Sequence, residues 1–130
     1  MSPEDTFHDL SVILVVDDNP KAGQMVARLL TSAGQHVHLE SDPPTAVAWF
    51  ARNKHRVDLV LVDQLMPVLG GTDVARRLWA LRPDVPIFLM SALDRAEIAP
   101  VLDELPFRGY LKKPFRGWEL HLRVQSVLGV

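Results

Sequence analysis

The 130-residue chain contains no cysteine. That absence excludes disulfides, thiolate metal sites and thiol nucleophiles, and it suits a reducing compartment, so a cytoplasmic location is expected. No apolar run approaches the roughly 20 residues that a membrane helix needs, so no membrane association is expected. The opening MSPEDTFHDL has neither the basic nor the apolar region of a secretory signal, and residues 1–10 are expected to form a flexible polar leader. Charge of one sign is also missing: 14 basic against 16 acidic residues give a formal net charge of −2, so no overall field points to nucleic acid or an anionic surface. Glycine- or serine-rich linkers and internal repeats are absent too, and with 48% apolar residues the length suits one domain, spanning 11–129.

What is present is an alternation of short β-branched apolar runs with longer helical patterns, which predicts an α/β fold with a parallel sheet covered on both faces. The runs are Ser11 to Val16, His36 to Glu40, Asp58 to Val62, Pro86 to Met90 and Gly109 to Lys112. Runs one, three and four are almost wholly apolar, as strands buried on both faces are, whereas run two alternates and is expected at an edge. Helix one is expected to start at Asn19-Pro20 with Met25, Val26, Leu29 and Leu30 inward. Helix two starts at Asp42-Pro43 with Ala46, Val47, Phe50 and Ala51 inward, and the basic run Arg52 to Arg56 lies at its carboxyl end. Helix three follows Thr72 with Val74, Leu78 and Leu81, and the last helix carries Leu120, Val124, Val127 and Leu128. Pro100 falls inside the fourth helical stretch, Asp94 to Leu105, and predicts a kink or a late start there.

In an open parallel sheet, ligands gather at the carboxyl ends of the strands. There the sequence puts Asp17-Asp18 after strand one, Asp63 after strand three, Ser91 after strand four and Lys112-Lys113-Pro114 after strand five. Three carboxylates so close together need a cation, and hard oxygen donors point to Mg²⁺ or Mn²⁺. A carboxylate is a competent nucleophile toward phosphorus, and a lysine and a hydroxyl can hold phosphoryl oxygens, so the set suits phosphoryl transfer onto Asp63.

With VVDDNP at 15 to 20, LVDQLMPVLGG at 61 to 71, FLMSA at 88 to 92 and YLKKPF at 110 to 115, the chain resembles the receiver domains of response regulators in two-component and phosphorelay signalling. The resemblance implies a flavodoxin-like, doubly wound five-stranded sheet in strand order 2-1-3-4-5. It implies Asp63 as phosphoacceptor, Lys113 as its partnering lysine, and Asp17, Asp18, Asp63 and the Leu65 backbone carbonyl as metal ligands. Ser91 becomes the switch hydroxyl, Tyr110 the switch aromatic, and Lys113-Pro114 a peptide bond that is commonly cis. A receiver is a signalling domain that catalyses only its own phosphorylation and dephosphorylation. The implied donor is a histidine kinase or a histidine phosphotransfer protein, and the implied homodimer surface is helix four, strand five and helix five. Leu65 and Leu93, two residues past Asp63 and Ser91, stand where the resemblance places the route of attacking water. Being apolar, they are expected to make the acyl phosphate long-lived. No DNA-binding or enzymatic output unit is visible within these 130 residues, so the expected alternatives are a stand-alone receiver and a piece of something larger such as a hybrid histidine kinase.

Each residue also has an ordinary reading. Asp63 suits the turn before Pro67, Asp18 and Ser91 suit helix caps, Lys113 suits solvent, and Tyr110 suits a half-buried core position. His36 and His38 share one face of strand two and are expected in solvent, while Trp49, Trp79 and Trp118 read as packing or partner-facing residues. Other function classes stay in view. A degenerate receiver would act only as an interaction module, a metal-dependent phosphohydrolase would need a second acid where Leu65 stands, and a flavin carrier would share only the fold.

Overall fold

A computed structural model describes residues 11–129; the leader expected over 1–10 lies outside them. Strand β1 (Val12–Val16) leads through α1 (Pro20–Ser32) to β2 (His36–Glu40), and α2 (Pro43–Asn53) leads to β3 (Leu59–Asp63). Helix α3 (Gly71–Leu81), β4 (Ile87–Ser91), α4 (Arg95–Glu104), β5 (Gly109–Lys112) and α5 (Gly117–Leu128) complete the order. All the strand pairs are parallel, and the sheet runs β2-β1-β3-β4-β5, the flavodoxin-like arrangement, with the alternating strand β2 at an edge as expected.

Strand alternation divides the core into two layers. Leu14, Val16, Val60, Val62, Ile87, Leu89 and Tyr110 face α2, α3 and α4, where Phe50, Leu78 and Ile98 are fully buried. Ile13, Val15, Leu59, Leu61, Phe88, Met90 and Leu111 face α1 and α5. Because β1, β3 and β4 are covered on both faces, they carry the apolar runs seen in the sequence.

Several local expectations are corrected. Strands β3 and β4 sit one residue later than read, so Asp63 and Ser91 end the strands and do not follow them. Asp58 lies outside β3, where its carboxylate accepts from the Val12 N–H at 2.8 Å. Met25 and Ala51 are exposed, which makes the buried stripes of α1 and α2 narrower than the apolar pattern. Helix α3 begins at Gly71, ahead of Thr72. The late start expected for α4 is not found. Asp94 and Glu97 form a capping box at its beginning, and the helix passes through Pro100 as one element. The carbonyl that Pro100 deprives of a donor is that of Ala96, which lies in the exposed first turn where water can serve it. His38 is half-buried, stacked on Trp49 at 3.9 Å between ring centroids and paired with Glu40 at 2.8 Å, so it is not the solvated residue expected. Trp79 packs against Phe107 and donates to the Val85 carbonyl, whereas Trp118 is exposed.

The turn after β3 holds Val68 at φ 71°, with Leu69 N–H donating to the Pro67 carbonyl across it. That is the strained hand of a three-residue turn, and a β-branched side chain is badly suited to it. Val68 is 95% exposed, so packing offers no return for the strain. Val68→Gly is therefore expected to stabilise the protein by about 1 kcal/mol, after allowing for the looser unfolded chain. The check is an upward shift of the urea midpoint at unchanged slope; a lower midpoint would contradict the assignment of strain.

Candidate functional site

The carboxyl ends of β1, β3, β4 and β5 meet at one edge of the sheet. Asp17 follows β1 and is fully buried, its Oδ1 accepting from the Asn19 N–H at 3.0 Å. Asn19 in turn caps α1 through the N–H groups of Lys21 and Ala22, and Pro20 opens the helix, so the local sequence fixes where the acidic pair turns back. Asp63 ends β3 between the two neighbouring strands. Asp17, Asp18 and Asp63 each offer a carboxylate oxygen, and these oxygens lie within 4.8 Å of one another.

Lys113 is delivered from the other side. Its N–H donates to the Ser91 carbonyl at 2.7 Å, continuing the β4–β5 pairing past Lys112, and the Lys113-Pro114 bond that follows is cis. The ammonium donates to Asp17 Oδ2 at 2.8 Å and lies 2.9 Å from Asp63 Oδ1. This removes the solvated reading of Lys113. One ammonium against three carboxylates leaves negative charge over, and oxygen donors at this spacing can hold a divalent cation.

The electrostatics follow from burial. Asp63 titrates above its ordinary value of 3.8, chiefly because burial disfavours the charged form; the Lys113 hydrogen bond opposes this, and Asp17 and Asp18 add repulsion. For Lys113, burial is the largest single influence and works against the ammonium. Its hydrogen bonds to Asp17 and Asp63, with their charges, outweigh it, and the pKa lies above the ordinary 10.5.

Ser91 is buried beside this group. Its hydroxyl donates to Gln64 Oε1 at 2.6 Å and accepts from the Leu93 N–H at 3.0 Å. Tyr110 is buried in the layer facing α4, with the Arg95 guanidinium 6.0 Å above its ring. Leu65 is 69% exposed, while Leu93 packs against the core.

A sequence profile described as the response regulator receiver domain matches residues 13–125. The chain belongs to that family. Sensory transduction protein RegX3 of Mycolicibacterium smegmatis is 35% identical over 120 residues, which cover 92% of this chain and 51% of the relative. The chain thus spans about half the length of the curated relatives it matches. Among solved structures, the receiver domain of sensor histidine kinase PA1611 from Pseudomonas aeruginosa, described with a magnesium ion coordinated in its active site cleft, is 31% identical. It gives a TM-score of 0.82 and covers 92% of this chain and 98% of its own. A receiver domain from Clostridium thermocellum, 24% identical, gives 0.85 over 92% and 94% of the two chains and supports the fold alone. Receivers are signalling domains whose partners include histidine kinases. Among the described residues of this one, no helix is long and apolar enough to cross a membrane.

Two residues of the site carried no sequence signal as functional. Gln64 is a glutamine just past a strand, a placement without a pattern. Gly71 closes the stretch LVDQLMPVLGG, but a double glycine reads equally as a flexible loop. A side chain on Gly71 would reach within 2.9 Å of Gln64 Cα and closer still to the Asp63 carbonyl oxygen, so this glycine lies directly against the peptide after Asp63.

Proposed function

We propose that this receiver accepts a phosphoryl group from a phosphohistidine donor onto Asp63 in a reaction that depends on Mg²⁺ or Mn²⁺. The observation that carries the reading is the Lys113 ammonium held between Asp17 and Asp63 beside a three-carboxylate cluster. An Asp63 oxygen attacks phosphorus in line, the P–N bond breaks, and the imidazole leaves with the electron pair and takes up a proton. Lys113 shifts from Asp63 onto a phosphoryl oxygen, while its bond to the buried Asp17 keeps its direction. Asp17, Asp18, Asp63 and the Leu65 backbone carbonyl would hold the cation. When bound, it neutralises charge that develops on the phosphoryl oxygens. The magnesium described for the PA1611 receiver supports this assignment.

In the same reading, Ser91 turns toward the phosphoryl group and Tyr110 responds, which alters the surface formed by α4, β5 and α5 that a partner, or a second copy, reads. The experiment is incubation with acetyl phosphate and Mg²⁺ followed by intact-mass measurement. The wild type is expected to gain one phosphoryl mass, and Asp63→Asn and the EDTA-treated wild type are expected to gain none. Uptake by Asp63→Asn equal to that of the wild type would sink the assignment.

Exposed Leu65 bears on how long the product lasts. A polar side chain there can orient water for attack on phosphorus, so Leu65→Asn is expected to shorten the acyl-phosphate lifetime by about tenfold, less than the roughly 10²- to 10⁴-fold of a true general base because an amide orients water without taking its proton. Decay of the phosphorylated mass after donor removal measures it, and an unchanged decay would mean that Leu65 does not limit water.

A further inference from the structure

We infer that Gln64 is a latch on Ser91: its side-chain carbonyl holds the serine hydroxyl in the unphosphorylated position and sets how readily the site accepts a phosphoryl group. The inference rests on the reading of Asp63 as phosphoacceptor and Ser91 as the hydroxyl that moves. A serine hydroxyl has a single hydrogen to donate. Here that hydrogen is committed to Gln64 Oε1 at 2.6 Å, while the Leu93 N–H occupies the oxygen at 3.0 Å. A phosphoryl oxygen only accepts, so Ser91 can serve it only by releasing Gln64.

The backbone makes this contact a fixed one. Asp63 pairs with Met90 in the β3–β4 register; Gln64 follows just past the end of β3, and Ser91 is the last residue of β4. The Gln64 N–H donates to the Met90 carbonyl at 2.8 Å, and its own carbonyl accepts from Gly71 N–H at 2.9 Å. With both backbone groups bonded, the direction of the side chain is set by the strand end and by the helix that starts at Gly71. Ser91 is almost fully enclosed, so water does not readily replace the lost acceptor. The latch therefore favours the unphosphorylated arrangement, and phosphorylation has to overcome it.

The test titrates the whole chain, in Mg²⁺, with trifluoroberyllate, a tetrahedral phosphoryl mimic, and follows the bound fluorines by ¹⁹F NMR. Gln64→Met keeps the length and removes the strong acceptor. It is expected to tighten apparent affinity about fivefold to tenfold, the worth of one neutral hydrogen bond. In a Ser91→Ala background the same substitution is expected to change affinity less than twofold, because the latch then has nothing to hold. Gln64→Glu, which keeps an acceptor and adds charge, is expected to bring no gain. A change below twofold in the Ser91 background, or an equal change with Ser91→Ala, would overturn the latch while leaving the phosphoacceptor reading intact. The converse failure is distinct: a wild type that binds no trifluoroberyllate and gains no phosphoryl mass defeats the underlying reading itself.

Discussion

Lys113→Ala is expected to slow phosphorylation of Asp63 by acetyl phosphate by about 10² to 10³-fold, the usual loss when one preorganised donor to developing charge is removed. The ammonium contacts Asp17 at 2.8 Å and Asp63 at 2.9 Å, so it is already placed where the incoming phosphoryl oxygens need a cation. The same substitution strips a fully buried Asp17 of its counter-charge. Without metal the variant is expected to lose about 2 kcal/mol of stability, less than a wholly enclosed pair would lose because Lys113 is partly open to solvent. Added Mg²⁺ is expected to restore more stability to the variant than to the wild type, since it supplies charge to the same carboxylates.

The pH dependence has a definite sign. Asp63 titrates above its ordinary 3.8 in the fold, so its contribution to stability is present below 3.8 and is lost as pH rises through the folded value. Removing Lys113 takes away the influence that holds this shift down, and the variant should lose more stability than the wild type as pH climbs out of the carboxylate range. Phosphorylation rates by mass and thermal melts with and without Mg²⁺ measure both effects; a wild-type rate in Lys113→Ala would remove this lysine from the chemistry.

Gly71→Ala is expected to destabilise the protein by about 3 kcal/mol and to lower its melting temperature by on the order of 10 °C. The added carbon would press on Gln64 Cα at 2.9 Å, on the Asp63 carbonyl carbon at 3.0 Å and more closely on its oxygen, and all of these are backbone atoms with no rotamer to give way. Relief requires the start of α3 to move off the end of β3, which displaces Asp63 from Lys113, so phosphorylation should fall together with stability. Gly70→Ala is the internal control. Its carbon would meet only the Gln64 carbonyl oxygen at an ordinary 3.5 Å, and an effect of about 0.5 kcal/mol is expected from the weaker helix cap. Equal effects of the two substitutions would show that glycine content of the loop, and not the close approach at Gly71, is what matters.

Strand periodicity and strand-end chemistry were legible because both are local. Val12 to Val16, Leu59 to Val62 and Ile87 to Met90 are apolar without a break since both sides of each strand are covered, and that alone places three strands in the middle of a sheet. The acidic residues, Ser91 and Lys113 were legible because each stands where its strand ends. Helix faces were read too broadly. Met25 and Ala51 are apolar yet exposed, because apolar character permits burial without requiring it. Pro100 was read as causing a kink or a late start; the helix starts at Arg95 all the same, and the donor that Pro100 lacks is missed only by an exposed carbonyl in the first turn.

The order of elements, the two-sided covering of the central strands and the meeting of Asp17, Asp18, Asp63 and Lys113 at one edge were thus determined by the sequence, since patterns of two and 3.6 residues and residues at strand ends carry that information along the chain. Tertiary structure alone decided that Gln64 grips Ser91, that His38 stacks on Trp49, and that Gly71 has no room for a side chain. These depend on the distance between atoms brought together by strand pairing and helix docking, and no spacing along the chain encodes such a distance.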